Sequence, residues 1–387
     1  MYRRLVPGTR LNEFQNAGSD VHRIRVLLLS TDLQKGGLPL RLVRLARRFR
    51  DVNVEPVVGC LTSRGPLSDV LEADGIETFA CDAAGRFDFR CLSKLAAHIR
   101  RLDPDVIHAS LFHANLAARL VGRLDRPRPI LTSSVTIEIE RRWHRVLESM
   151  TSGLSDLHAA NSEAVAAHVR EDLGFSSDRV VVVPNAVDFD AIDRTPPIDR
   201  ASLGLKCDIP LVVWVGRMDP VKNLRTWIDV FERVLRERPA QGLLIGDGPE
   251  RRHLEKLVKE RQLSQYVRFA GWMDDVIGVL KSADAMLFPS LTEGSPNAVL
   301  EAICCGCPVV TSDAAACVEL IREAGRGMSC HAYDTKCMTR FLLEILSTST
   351  SQKSRTRSFA SRMRTHRGMA SVLAKWCDAY DHLLAQR

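Results

Sequence analysis

Short apolar runs rich in β-branched residues alternate along the chain with longer amphipathic segments. In the first half, the apolar runs predict strands at 24–30, 54–60, 105–110, 129–134, 156–161 and 179–184. Helical periodicity is found between them, at 90–102, 112–123 and 162–173. A strand–helix–strand series of this kind requires a parallel sheet that is covered by helices on both faces. The first half is therefore predicted to be a doubly wound α/β domain.

The alternation stops between residues 188 and 210 and then starts again. This interval has two adjacent prolines, scattered charges and no sustained periodicity, which is typical of a linker. Beyond it, strands are predicted at 210–216, 241–247, 266–271, 284–289 and 308–313. The clearest helix covers 224–237, with Asn223 as its expected N-cap. The pattern therefore predicts two tandem Rossmann-like domains, with a cleft at the carboxyl ends of their sheets.

The domain boundaries follow from these breaks. We place the first domain at 1–190, the linker at 191–209 and the second domain at 210–365. With 387 residues, 45% hydrophobic and 26% charged, the composition is that of a soluble globular protein. No apolar run approaches the roughly 20 residues that a membrane-crossing helix needs. The first 20 residues lack the apolar segment of a secretory signal, so we expect a cytoplasmic protein whose eleven cysteines are mostly reduced.

The net charge of +7 is modest, but the basic residues cluster. In the helix predicted at 41–50, Arg41, Arg44, Arg47 and Arg48 share one face and apolar residues the other. This pattern is typical of a solvated surface helix, and the alternative is a helix that contacts an anionic membrane surface. The sequence shows no zinc-finger spacing and no interleaving of aromatic and basic residues, which argues against nucleic acid as a partner.

The connections after the strands of the second domain carry the polar chemistry. Arg217 and Lys222 follow the first of these strands, and the glycine turn 246–249 follows the second, with its proline suited to a first helical position. After the fourth strand, Ser295 is expected to cap a helix that begins at Pro296, and the free N–H groups of a helix start favour an anion. Because parallel strands end at one edge of a sheet, these loops predict a clamp for a diphosphate.

Two glutamates, Glu293 and Glu301, lie in the same stretch as this helix start. A carboxylate beside a phosphate site would repel the ligand's charge, so we expect both to bind hydroxyl groups. Glu301 lies one turn after Asn297 on the same helix face, in position for ribose. Glu293 precedes the turn and is expected to reach the group that the phosphates carry. A nucleotide sugar satisfies both, and the alternative is that Glu301 is an ordinary exposed helix residue.

Three segments of the second domain carry a resemblance to a known family. Arg217 with Lys222, GDGP at 246–249 and EGSPNAVLE at 293–301 together resemble the donor domain of the retaining GT-B glycosyltransferases of family 4, including the spacing of their E-x7-E motif. Segments at 30–49, 105–120 and 183–188 resemble their first domain more loosely. The resemblance implies that residues 366–387 form a helix that returns to the first domain.

The resemblance also implies a role for each matching position. Arg217 and Lys222 would hold the diphosphate as negative charge grows on it, and Glu293 would contact the donor sugar. His113 is a weaker candidate for contacting the sugar or assisting the acceptor. Because the protein supplies these cations, we expect no metal and no cofactor. The other implied donor contacts are Gly36, Gly37, Gly246, Asp247, Gly248, Gly294, Ser295, Pro296, Asn297, Glu301 and, beside the nucleobase, Trp272 and Met273.

The predicted reaction moves a sugar from a nucleotide sugar, UDP-linked by family frequency, to a hydroxyl of a glycan or lipid-linked glycan with retention of configuration. The first domain departs from the family pattern. Leu38 and Pro39 follow the two glycines, Ser110 stands where relatives often have a second histidine, and Ala186 replaces a glycine. The donor site is therefore better specified than the acceptor.

Two other functions stay open. A non-hydrolysing nucleotide-sugar epimerase shares the fold and would isomerise the donor without an acceptor. A non-catalytic nucleotide-sugar-binding subunit would bind the donor without turnover. A glycosidase also uses two carboxylates, but it has no use for the Arg–Lys clamp.

Two other patterns receive structural interpretations. Cys304 and Cys307 form a C-x-x-C without a second Cys or His pair at zinc spacing, so we interpret them as buried thiols. His108 is expected to pack at a strand end.

Overall fold

The computed structural model describes residues 23–34, 36–85, 88–137, 142–325, 327–347 and 356–386, the side chains of 356–361 excepted. The N-terminal stretch that bears on a secretory signal lies outside the described residues. The chain forms two compact units. One ends at Pro184 and includes the chain again from Ala370, and the other is Asn185–Met369. Each unit is built around its own sheet.

The sheet of the first unit is entirely parallel across the strands that the structure describes. Its order is β3-β2-β1-β4-β5-β6-β7, so the order reverses between β1 and β4. In a doubly wound sheet this reversal opens a crevice at the carboxyl ends of the strands. The strands are β1 (Ile24–Ser30), β2 (Val54–Cys60), β3 (Thr78–Ala80), β4 (Val106–Ser110), β5 (Ile130–Ser134), β6 (Leu157–Ala160) and β7 (Val180–Val182).

Amphipathic helices connect these strands. In the third helix, Leu95, Ile99 and Leu102 repeat at helical spacing and are buried, and the Asp88 side chain accepts from the Arg90 N–H to cap its start. The helices are α1 (Gly37–Phe49), α2 (Pro66–Ala73), α3 (Phe89–Leu102), α4 (Phe112–Val121), α5 (Arg142–Thr151) and α6 (Glu163–Glu171).

The second unit repeats the design with another all-parallel sheet within the described residues. Its order is β10-β9-β8-β11-β12-β13. The strands are β8 (Leu211–Val215), β9 (Gln241–Ile245), β10 (Val267–Gly271), β11 (Ala285–Phe288), β12 (Val309–Ser312) and β13 (Met328–Cys330). The helices are α7 (Phe189–Arg194), α8 (Leu224–Glu237), α9 (Arg251–Glu260), α10 (Val276–Ser282), α11 (Asn297–Cys304), α12 (Ala315–Ala324), α13 (Thr335–Ser347) and α14 (Thr356–Arg367).

The core of the second unit is built on large aromatic side chains. Trp214, Trp227 and Phe231 are fully buried, and the rings of Trp227 and Phe231 stack at 4.9 Å. Burial of such a side chain stabilises the fold by roughly 1.5–3 kcal/mol. This core gives the loops at the carboxyl edge a rigid base.

The last helix, α15 (Met369–Ala385), packs within the first unit. Its Tyr380 hydroxyl is 2.9 Å from Nδ1 of His108, and its ring lies 5.7 Å from that of Phe49. Burial, and then the nearby Arg41 cation, lower the pKa of His108 to about 3. The predicted packing role of His108 is therefore confirmed.

The structure differs from the sequence-based expectation in a few elements. The short strands β3 and β13 were not predicted, because their three residues, TFA and MSC, lack the continuous β-branched run that identifies the equally short β7. The segment interpreted as a linker packs on the second unit, where Ile192 and Leu205 are buried and Arg200 contacts Asp284 at 2.7 Å.

None of the described helices is both long and apolar enough to span a membrane.

Candidate functional site

Glycines end three neighbouring strands of the second sheet. Gly216 follows β8, Gly246 follows β9, and Gly271 ends β10. The Gly246 N–H donates to the Gly271 carbonyl at 2.7 Å, and a Cβ on Gly246 would lie 1.8 Å from the Gly216 carbonyl oxygen. With φ at +122°, Gly246 also has a backbone conformation that side chains rarely allow. These strand ends therefore approach one another as bare backbone.

The loops after β8 and β9 are tied together. The Met218 N–H donates to the Asp247 carbonyl at 2.8 Å, and a Cβ on Gly248 would lie 2.6 Å from the Met218 backbone. The Asp247 carboxylate accepts from the Gly248 N–H at 2.7 Å and from Arg251 at 2.9 Å, and these two bonds lower its pKa. Pro249 does not begin a helix, because this turn continues to Glu250 and α9 starts at Arg251.

Lys222 and Glu293 form a direct ion pair at the same edge. Lys222 Nζ lies 2.6 Å from Glu293 Oε1, and the Ser290 hydroxyl donates to that oxygen at 2.6 Å. Their side chains are only 19% and 9% exposed, so water screens the pair weakly. Lys222 Nζ also lies 5.8 Å from the Phe288 ring centroid. The residues predicted to contact phosphate and sugar are thus in contact with each other.

Arg217, the second predicted cation, is much more exposed. Its side chain is 73% exposed, and its Nε lies 3.3 Å from Oδ2 of Asp219. An exposed pair of this kind stabilises a fold by at most about 1 kcal/mol. The Arg217 side chain can therefore leave Asp219 and pair with another anion at little cost in free energy.

The turn before α11 differs in detail from the prediction. The helix begins at Asn297, and Pro296 occupies the N-cap with ψ at 106°, so Ser295 is not the cap. An extended ψ at Pro296 places it outside the helix and shifts the start by one residue. The Ser295 hydroxyl is buried and has no hydrogen-bond partner within the described parts of the chain. Gly294 precedes this turn.

Asn185 holds the turn in place. Its Nδ2 donates to the Ser295 carbonyl at 3.1 Å and to Asn297 Oδ1 at 2.6 Å. The side chain is buried, at 4% exposure. Sequence reasoning did not assign Asn185 to the site, although it belongs to the VPNAVD segment that carried part of the resemblance. The sequence offered one signal for Asn185, which is that it directly follows a proline within this segment.

Asn223 occupies the predicted N-cap position of α8, but its side chain has a different role from capping. It lies at the start of α8 with φ at +53°, and its side chain accepts no backbone N–H of the helix. Its Nδ2 donates to the carbonyls of Pro289 and Ala332 at 3.2 and 3.1 Å, and its Oδ1 accepts from Thr226. Asn223 therefore ties the loop that carries Lys222 to the ends of β11 and β13.

The remaining predicted residues of the second unit surround this edge. Glu301 is half-buried on α11, one turn after Asn297. Trp272 directly follows Gly271, is 57% exposed, and donates to Asp274 at 3.3 Å. Met273 packs partly on the core. Both therefore lie beside the glycine strand ends.

Three predicted residues lie in the first unit. Gly36 is extended, with φ at −169°, and a Cβ on Gly37 would meet no atom within 4 Å. The first unit itself thus requires no glycine at either position. His113 is half-buried on α4, with its ring 5.0 Å from that of Phe112 and 5.5 Å from that of His144.

The cysteines do not form a metal site in the described chain. Burial raises the pKa of the Cys304 thiol to about 12, and Cys307 is also buried, as expected for packed thiols. In the portions of the chain with described coordinates, no group of three or more His, Cys, Asp or Glu side chains could hold a metal ion.

Comparison with known families agrees with this geometry. Residues 35–191 match the family model described as Glycosyltransferase Family 4, and residues 209–348 match the one described as Glycosyl transferases group 1. LpsE from Rhizobium meliloti, a lipopolysaccharide core biosynthesis glycosyltransferase, is 31% identical over 60% of this chain and 65% of its own length. An Escherichia coli UDP-Gal:α-D-GlcNAc-diphosphoundecaprenol α-1,3-galactosyltransferase is 24% identical over 64% and 69%. The chain thus spans about two thirds of these relatives.

Solved structures match nearly the whole chain. A glycosyltransferase from Rickettsia africae superposes with a TM-score of 0.81 at 16% identity, over 94% of this chain and 99% of the other. HepE from Anabaena in complex with UDP gives 0.79 at 18% identity, over 93% and 100%. At these identities the likeness shows the fold. The chain therefore belongs to the GT-B glycosyltransferases that join a family 4 domain to a group 1 domain.

Proposed function

We propose that this protein transfers a sugar from a UDP-sugar to a hydroxyl of a glycan or lipid-linked glycan, with retention of configuration. The observation that carries the proposal is the Lys222–Glu293 pair at the carboxyl edge of the second sheet. A cation and a carboxylate in contact there can serve the two ends of one ligand. The cation suits its phosphates, and the carboxylate suits its hydroxyls.

Lys222 can bind a phosphate without leaving Glu293. An ammonium group has three donors, and the bond to Glu293 uses one of them. Arg217 can move from Asp219 to a phosphate oxygen at little cost, since its present pair is exposed. The two cations would then face the charge that grows on the departing diphosphate. Removing one such preorganised contact typically lowers the rate about 100- to 1,000-fold.

The turn before α11 would supply further donors to the ligand. The first N–H groups of a helix have no partner within the helix, and their dipoles favour an anion. Asn185 fixes this turn through Ser295 and Asn297, so its N–H groups would keep their direction during the reaction. We assign Gly294 to Asn297 to the phosphates or the sugar.

Residues at the same edge of the second sheet would also contact the hydroxyl groups and the base of the donor. Glu293, held by Lys222 and Ser290, would accept from the donor sugar, and Glu301 from the ribose. Trp272 and Met273, next to the glycine strand ends, would lie beside the base. In the first unit, Gly36 and Gly37 would let the loop approach the donor, and His113 would contact the sugar or assist the acceptor.

The choice of UDP is supported by proteins that this chain resembles. HepE was crystallised with UDP and with UDP-glucose, and the E. coli relative is named for UDP-Gal. That relative's name also includes a diphosphoundecaprenol acceptor, and the Rhizobium relative acts in lipopolysaccharide core biosynthesis. A glycan or lipid-linked glycan is the acceptor class common to both.

We also propose that the reaction needs no metal and takes place in the cytoplasm. Arg217 and Lys222 supply the positive charge that a metal would otherwise provide. All eleven cysteines are free thiols, in keeping with a reducing compartment. Activity that persists after extensive chelation would support the first point, and its loss with recovery on adding a divalent ion would contradict it.

Product analysis tests the proposed function. The protein is incubated with UDP-sugars, with and without diphosphate-linked or free oligosaccharide acceptors, and the products are separated by mass and NMR. We expect UDP release and an α-linked product from an α-linked donor only when an acceptor is present. Isomerised donor without an acceptor would support the epimerase. Donor binding with no turnover on any acceptor would support the non-catalytic subunit.

A further inference from the structure

The helix α5 in the first unit has its polar and apolar faces reversed. Its buried residues are His144 and Glu148, whereas Trp143, Val146 and Met150 are 43%, 56% and 76% exposed. These three positions repeat at i, i+3 and i+7 and therefore form one stripe along the helix. We call Trp143, Val146 and Met150 the outer stripe. A helix whose outer face contacts only water normally turns its apolar residues towards the protein core.

The reversal has a structural cause on the inner side. Glu148 forms a buried ion pair with Arg119 of α4, and Asn115 donates to the same carboxylate at 3.4 Å. His144 stacks on Phe112 at 3.7 Å. These contacts fix which face of α5 is turned inward, because breaking a buried ion pair is costly. The outer stripe is therefore held outward by the fold.

Further exposed apolar side chains lie near the C-terminal end of α5. The guanidinium of Arg119 also contacts Thr151 at 3.0 Å, so the C-terminal ends of α4 and α5 lie next to each other. Leu120 and Leu124 are exposed at the end of α4, and Leu154 is exposed just after α5. Exposed apolar side chains grouped in one part of the surface are typical of a docking site for a protein or a membrane.

The charge on α5 indicates what docks there. Arg142, at the start of α5, is exposed and belongs to no ion pair within the described parts of the chain, and the only carboxylate on α5 is buried Glu148. An apolar stripe that contains tryptophan, with an exposed arginine at its side and no exposed carboxylate on the same helix, suits an interface with acidic lipid headgroups. We propose that the outer stripe docks the protein on an anionic membrane surface.

The helix α1, where the sequence placed a membrane contact, is less suited to this role. Arg47 contacts Asp74 at 2.6 Å and Arg48 contacts Asp51 at 3.1 Å. The apolar residues of α1, among them Leu42 and Phe49, are buried. On the face that α1 presents to solvent, Arg47 and Arg48 are therefore already paired with carboxylates, and the buried apolar residues form no outward stripe.

Docking at α5 goes beyond the proposed reaction, although it would serve a lipid-linked acceptor. Co-sedimentation with vesicles tests it without any sugar donor. We compare phosphatidylcholine vesicles with vesicles that also contain phosphatidylglycerol. The wild-type protein should bind the mixed vesicles, and Val146→Glu with Met150→Glu should lower partitioning about tenfold or more. Arg142→Gln should lower binding to mixed vesicles about fivefold and leave binding to neutral vesicles unchanged.

Matched variants separate the outer stripe from general surface effects. Phe89→Glu changes a 75% exposed apolar residue of the same unit and should leave binding unchanged, as should Arg47→Gln with Arg48→Gln in α1. Emission from Trp143 should shift to the blue on mixed vesicles, and Trp143→Phe should remove the shift. The melting temperature and the far-UV circular dichroism spectrum should be the same in all these variants, which shows that they fold.

Three outcomes would overturn the proposal. The first is that the wild-type protein does not bind the mixed vesicles. The second is that the double glutamate variant binds them as well as the wild type does. Alternatively, sedimentation velocity would show a dimer that the double glutamate variant dissociates, in which case a second copy of the chain covers the stripe. None of these outcomes bears on sugar transfer, which product analysis tests separately.

Discussion

Lys222 and Glu293 are joined at 2.6 Å, although they come from the loops after β8 and β11. Lys222→Ala leaves a mostly buried carboxylate without its cation. We expect a loss of roughly 1–3 kcal/mol in the free energy of unfolding, measured with urea. Glu293→Gln removes the charge on the other side.

A double-mutant cycle then isolates the interaction. The loss in the Lys222→Ala, Glu293→Gln double variant should be smaller than the sum of the single losses, because the second change removes the orphaned charge. Strictly additive losses would show that the two side chains are not coupled in solution.

A second prediction concerns Asn185 and the turn before α11 that it holds. Asn185→Ala removes the donors to Ser295 and Asn297, and we expect about 1–2 kcal/mol less stability together with weaker UDP binding. Asn185→Asp keeps the shape but places a carboxylate opposite two acceptor oxygens, so it should be worse than Ala. Thermal unfolding and calorimetry check both variants. If Asp is tolerated better than Ala, the bonding scheme is wrong.

The glycines give a contrasting pair of substitutions. Gly246→Ala forces a Cβ to within 1.8 Å of the Gly216 carbonyl oxygen, so we expect it to destabilise the second unit by about 3 kcal/mol or more. Gly37→Ala meets open space and should leave stability unchanged. Loss of activity in Gly37→Ala at full stability would favour close approach of a ligand, and a drop in its melting temperature would contradict the geometry.

Buried histidines predict a pH dependence. Burial lowers the pKa of His108 and His158 to about 3, so the native state binds fewer protons than the unfolded state below pH 6.5. Stability from each is complete above pH 6.5 and is lost as the pH falls towards 3, by up to about 1.4 kcal/mol per pH unit. Denaturant unfolding at several pH values measures the slope.

Variants of the histidines provide the check. His158 bonds Thr132 and Ser134 at 2.8 and 3.0 Å, and His158→Gln can keep one of these bonds while it removes the titration. The acid slope should become shallower. His253→Gln, at an exposed position on α9, should leave the slope as it is. An unchanged slope in His158→Gln would mean that this imidazole already takes up a proton in the native state.

Much of the fold could be predicted from the sequence, because buried parallel strands and amphipathic helices have different periods. Eleven strands were predicted at their observed places, whereas β3 and β13 are short and lack a run of β-branched residues such as the one in β7. The start of α11 was predicted one residue early, since a proline fits both the N-cap and the first turn.

The contacts between distant loops could not be predicted. Asn185 lies 112 positions before Asn297, and Asn223 lies 109 positions before Ala332. Local patterns contain no information about such pairs. The outward direction of the apolar stripe of α5 could not be predicted either. Periodicity identifies an apolar face of a helix, but it does not say whether that face points to the core or to solvent.

The central claim is that the carboxyl edge of the second sheet binds a nucleoside diphosphate through Arg217 and Lys222. Titration calorimetry of UDP into the wild type, Arg217→Ala with Lys222→Ala, and Arg236→Ala tests it most directly. Arg236 is an exposed cation of the same unit, paired with Glu232 on α8, and serves as the matched control. We predict that the double variant weakens UDP binding about 100-fold or more, as expected when two charged contacts are lost, while the control binds as the wild type does. Equal UDP affinity in all three proteins would contradict the claim.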